Sequence, residues 1–89
     1  MRSLEGNRLT HLTTVRGLLQ AIDWDANDRV SRIAVLTADE DEIELELSER
    51  ERELLDYQRR EVVVSGTLHR GSLHRKLLKV SSYQVLPSL

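Results

Sequence analysis

Cysteine is absent from this 89-residue chain, which rules out both a disulfide framework and a thiolate zinc site. Phenylalanine is absent too, and the aromatics are one Trp and two Tyr. A core must therefore be assembled from Leu, Val and Ile, which suits the interior of a narrow barrel. Proline occurs once, and the four glycines are scattered. They make neither a phosphate-cradling loop nor a G-x-S-x-G nucleophile turn. His11, His69 and His74 lack the His-x-x-x-His or His-Glu spacing of a zinc helix. No catalytic activity, cofactor or metal is expected. No apolar run approaches the roughly 20 residues that span a bilayer. The N-terminus also lacks the apolar centre of a signal peptide. The expectation is a soluble, cytoplasmic protein with no membrane partner.

What is present is enough for one core and not two. Apolar residues make up 39% of the chain, ordinary for a globular domain. Residues 1–11 read as a flexible lead-in, 12–86 as a single domain and 87–89 as a tail. The net charge of −2 hides an uneven distribution. Residues 39 to 53 carry nine acids against Arg50 and Arg52, and residues 59 to 79 carry six bases against Glu61 alone. Local potential matters more than the total for binding anions.

Hydrophobic periodicity orders the chain as three strands, a helix and two strands. In the first strand, residues 12 to 24, Val15, Gly17, Leu19 and Ala21 share one face, and Thr14, Arg16, Leu18 and Gln20 the other. Gly17 inside it marks a bulge or a strong bend. Turn formers fill residues 23 to 28. The second strand, 30 to 38, contains a continuous IAVL run and so predicts burial on both faces. The third, 42 to 47, points Ile43, Leu45 and Leu47 inward and Glu44 and Glu46 outward. Ser48 with Glu51 three residues later is a capping box, which starts a helix running to Tyr57 or Gln58. The fourth strand, 61 to 69, turns Val62, Val64, Gly66 and Leu68 inward. The fifth, 76 to 86, turns in Leu78 and Val80, then Tyr83 and Val85 after a bulge. Pro87 ends it.

This element order resembles the OB-fold. So do V-R-G-x-L in the first strand, V-V-V-S-G-x-L in the fourth and L-x-V-x-x-Y-x-V-L in the fifth. The resemblance covers nearly everything from Leu12 to Leu86. It implies an all-β, five-stranded barrel with one helix, in the order β1-β2-β3-α-β4-β5. It also implies a binding module, since proteins of this fold bind single-stranded nucleic acid, oligosaccharides or other proteins. The fold by itself does not choose among them.

The basic run H-R-G-S-L-H-R-K-L-L-K, residues 69 to 79, falls where the resemblance places a loop flanking the ligand face. Arg70, Arg75, Lys76 and Lys79, with Arg29 and Arg32, are candidates for phosphate contacts that release counterions. Such a run also serves as ordinary solubilising charge on a hairpin. Trp24, beside the other flanking loop, is the candidate base-stacking platform, although a lone Trp is more often packing. Glu44 and Glu46 point out of the same face and oppose a polyanion. Arg16 and Arg32 are placed to offset them across the sheet. Asp23, Asp25 and Asn27 match the start of a calcium loop. Asp28 stands where the loop needs Gly, and Ala34 where it needs the bidentate Glu, so a plain turn is the better account. The leading expectation is a non-catalytic module that binds single-stranded nucleic acid through these basic loops; the alternative is a module for a protein partner or a second copy. Separated acidic and basic segments and the outward Leu18, Val63 and Leu77 motivate the second.

Overall fold

The computed structural model describes residues 12–71 and 75–87. The expected lead-in and the centre of the basic hairpin lie outside these. The elements are β1 (Thr13–Trp24), β2 (Val30–Thr37), β3 (Glu42–Glu46), a 3-10 helix (Glu49–Asp56), β4 (Glu61–Arg70) and β5 (Lys76–Val85). The strands close into a barrel in the order β1-β2-β3-β5-β4. Every ladder is antiparallel except β3–β5, which runs parallel from Ile43↔Lys76 to Glu46↔Lys79.

Closure needs β1 to serve two neighbours, and Gly17 sits where it does so. It pairs with Thr37 of β2 and Val62 of β4. A side chain there is excluded, because a Cβ would stand 2.2 Å from the Leu36 carbonyl oxygen. The bulge in β1 itself comes later, where the register skips Ile22 between Ala21 and Asp23. The bulge expected before Tyr83 is present. Ser65 pairs with Ser82 but Gly66 with Val80, leaving Ser81 as the extra residue.

The core is purely aliphatic: Leu19, Ile33, Val35, Ile43, Leu45, Leu54, Val62, Val64, Leu78 and Val80. Strand residues alternate into it with a period of two. The IAVL run is buried as its continuity predicts, with Ile33, Ala34 and Val35 all inaccessible. Ala34 lies between Gln20 and Glu44 in the ladder. Leu68 departs from the inward reading of β4, being 40% exposed. The ladder of β1 with β4 begins at Thr13↔Gly66, so among the described residues only β5 flanks the strand beyond Gly66.

The helix is present but tighter and shorter than its capping box suggested. It is a 3-10 helix ending at Asp56. Its bonds run three residues back, Glu51 N–H to the Ser48 carbonyl (3.1 Å) and Tyr57 N–H to the Leu54 carbonyl (3.0 Å). Three residues per turn stack positions i, i+3 and i+6. Glu51, Leu54 and Tyr57 have that spacing: the first two are buried and the third half-buried. With only a narrow apolar stripe available, the tighter helix uses it better than an α-helix would. The capping box is intact. The Glu51 carboxylate accepts the Ser48 N–H (2.8 Å) and hydroxyl (2.7 Å), and Ser48 Oγ accepts the Arg50 N–H (3.3 Å). Those two Ser48 donors hold the Glu51 carboxyl below its ordinary pKa. Tyr83 of β5 donates to Glu53, tying the helix to the barrel and pushing the phenol up to about 12. No helix among the described residues is long and apolar enough to cross a membrane.

Candidate binding groove

A groove of about 480 Å³ lies along the outer face of β2 and β3, between the β1–β2 hairpin and the helix. Its apolar surface comes from Val30, Leu47, Leu55 and Leu77, with the core residues Ile33 and Leu45 beneath. Its charged surface comes from Asp25, Arg32, Glu44, Glu46 and Arg52. The strand period accounts for this mixture. Residues 44 and 46 point away from the core that takes Ile43 and Leu45, and the parallel register sets Leu77 beside Glu44.

Glu44 is the hub. Its carboxylate accepts Arg32 Nε and Nη2, each at 2.8 Å, in a two-pronged fork. Arg75 Nη2 adds a third bond at 3.2 Å from the start of β5. Its side chain is only 15% exposed, so these charge-assisted bonds act with little solvent competition. The Arg32 bonds hold the Glu44 carboxyl below its usual range, against the opposing effect of partial burial. Arg32 also reaches Asp23 at 3.5 Å. Nearby, Lys76 pairs with Asp41 at 2.7 Å. Thus the parallel β3–β5 junction brings the acidic and basic stretches of the chain together within one barrel.

Of the seven residues singled out in the sequence, only Arg32 lines the groove, and Arg75 joins it through Glu44. Lys76 is engaged at the strand junction. Arg29 borders an adjoining depression that shares Asp25, Val30, Arg52 and Leu55 with the groove and adds Asp28 and Asp56. Arg70, at the end of β4, and Lys79, opposite Glu46, are exposed and have no acid partner among the described residues. Trp24 is 53% exposed at the hairpin and does not line the groove. Arg16, placed to offset the outward acids, pairs instead with Glu61 of β4 at 2.9 Å, while Arg32 does offset Glu44. Arg52 and Leu55 went unnoticed as groove residues. Their helix folds back over the β2 start, a tertiary relation with no local signature.

The would-be calcium ligand Asp25 is committed to its own turn, accepting the N–H groups of Asn27 (2.8 Å) and Arg29 (3.0 Å). Among the described residues no group of three or more His, Asp or Glu could hold a metal ion. A second depression, also about 480 Å³, lies where Leu18 and Leu36 face each other across β1 and β2. No protein-family model matches the chain, and no curated protein is similar to it.

Proposed function

We propose that the chain is a non-catalytic protein-interaction module of the OB-fold kind, whose β2–β3 groove takes an extended segment of a partner protein. The strand order and the position of the helix between β3 and β4 support the OB-fold assignment. One observation carries the choice of partner. The groove offers aliphatic surface flanked by both signs of charge, and of its two lining cations, Arg32 and Arg52, the first is already engaged by Glu44. A single nucleic-acid strand calls for uncommitted Lys and Arg along a track, with aromatic platforms for the bases. A phosphate reaching Arg32 would have to strip a largely buried carboxylate of its two-pronged bond and leave it with Arg75 alone, a costly exchange. A peptide brings apolar side chains for Leu55 and Leu77 and charges of either sign for Glu46 and Arg52.

Nucleic acid, the leading expectation from the sequence, becomes the second reading, favoured by Arg29, Arg70 and Lys79, which lack acid partners among the described residues, and by the exposed Trp24. A peptide-display selection on the folded domain separates the two. Recovered peptides should shift the amide resonances of Ser31, Leu55 and Leu77, and Leu77→Gln should weaken them. Saturable binding of single-stranded oligonucleotide by the unmodified protein at low salt, with no peptide recovered, would put nucleic acid first.

A further inference from the structure

We infer that Glu44 is a specificity-determining residue: its carboxylate fills an anion site built by Arg32 and Arg75 and so bars polyanions from the groove. This rests on the protein-partner reading and says how the same groove rejects the competing ligand class.

The geometry is that of ligand recognition turned inward. A planar guanidinium presenting two parallel N–H groups to one carboxylate is how proteins grip carboxylates and phosphates. Arg32 does this to Glu44, with both bonds at 2.8 Å. Arg75, just before β5, approaches the same Oε1 at 3.2 Å. Two cations thus converge on one point of an outer barrel face, Arg32 from β2 and Arg75 from just before β5, on opposite sides of β3. The register holds them there, since Glu44 sits between Ala34 of β2 and Leu77 of β5. A phosphate with room at that point would meet both guanidinium groups. Glu44 occupies it first, as part of the fold and at no entropic cost of association.

The charge balance follows. Arg32, Arg75, Glu44 and Asp23 together are neutral, so the centre of the face gives a polyanion nothing. Neutralising Glu44 leaves this set with one net positive charge and frees two forks. Lys79 and Arg70 then extend the positive surface along β5 and the end of β4. Glu46 is the matched control. It is exposed, has no cation partner among the described residues, and carries the same charge two positions along β3.

The experiment uses the full chain and a fluorescent oligothymidylate of about 12 nucleotides, within the span of one such barrel. Affinity is measured as salt is raised, for the unmodified protein, Glu44→Gln and Glu46→Gln. Glu44→Gln should bind at least about tenfold more tightly than the unmodified protein. Its affinity should fall with a log–log salt slope steeper by about 1.4, as expected for two added phosphate contacts at about 0.7 each. Glu46→Gln should gain much less. Adding Arg32→Gln to Glu44→Gln should abolish the gain. Glu44→Met, which keeps the chain length and removes the acceptor, should reproduce it and serves where Glu44→Gln does not give a native circular-dichroism spectrum.

The inference is overturned if a folded Glu44 variant binds no more tightly than the unmodified protein, or if Glu46→Gln gains as much. Tight binding by the unmodified protein is a separate outcome. It would refute the protein-partner reading, while the ratio between variant and unmodified protein still decides the role of Glu44.

Discussion

Replacing Gly66 by alanine adds a single methyl group at the β4–β5 bulge. That Cβ would lie 2.0 Å from the Lys79 carbonyl oxygen, 2.8 Å from its carbon and 3.1 Å from Val80 Cα. Ordinary van der Waals contact begins at 3.4 Å, so the strands must part by more than an ångström. The obstructing atoms are backbone, and no rotamer change relieves them. Overpacking of a well-filled site costs about 1–3 kcal/mol, and a backbone obstruction belongs at the upper end. The lost freedom of the unfolded chain offsets about 0.4–1 kcal/mol of this. A net loss of about 2 kcal/mol corresponds to a fall in Tm of about 8–16 °C for a domain of this size. Gly71→Ala is the internal comparison. Its nearest described non-neighbouring atom is the Arg75 carbonyl oxygen at 3.7 Å, and its φ is not positive. Only the unfolded-state effect acts there, so its Tm should hold or rise slightly. Calorimetric scans of both variants test the reasoning. Equal melting temperatures would show that the close approach at Gly66 does not constrain the barrel.

Ser48→Ala should cost about 1 kcal/mol through the lost cap, read as a lower urea midpoint with an unchanged slope. An unaltered midpoint would mean that Glu51 caps the helix without it. Stability should also fall on acidification. Glu44 and Glu51 have folded pKa values below the ordinary 4.5. Their contribution is complete above that unfolded value and lost as pH drops through the folded ones. Urea midpoints measured from neutral pH downward should therefore bend below about pH 4.5. Glu51→Gln should blunt the bend, and an identical profile in that variant contradicts the assignment.

The parts of the fold that a local pattern encodes could be read from the chain. Alternation in β3 and β4 gave the inward set, the capping box located the helix start, and the irregular phase before Tyr83 signalled the bulge at Ser81. The helix was placed correctly but its type was not legible, and one inward assignment missed. A capping box does not distinguish an α-helix from a 3-10 helix; the spacing of Glu51, Leu54 and Tyr57 does. Leu68 follows the inward phase of β4, but among the described residues it lies beyond the end of the β1 ladder. The groove was harder to read because its chemistry depends on who sits beside whom. Arg75 and Glu44 are 31 residues apart, and only the parallel junction joins them. The basic run looked free because its acidic partners lay in another segment.

That parallel junction is also the barrel's weak hem. It is short, running from Ile43↔Lys76 to Glu46↔Lys79, and the Lys76–Asp41 and Arg75–Glu44 pairs fasten its beginning. Were it to open, β3 and β5 would become two bare edges, each able to template pairing with another chain. The sequence EIELEL then takes on a second meaning. Its outward acids, sheltered or solvated in the closed barrel, would repel a like strand laid alongside in register. Glu44, which helps fasten the hem, would with Glu42 and Glu46 guard it against fibrous self-pairing while it is undone.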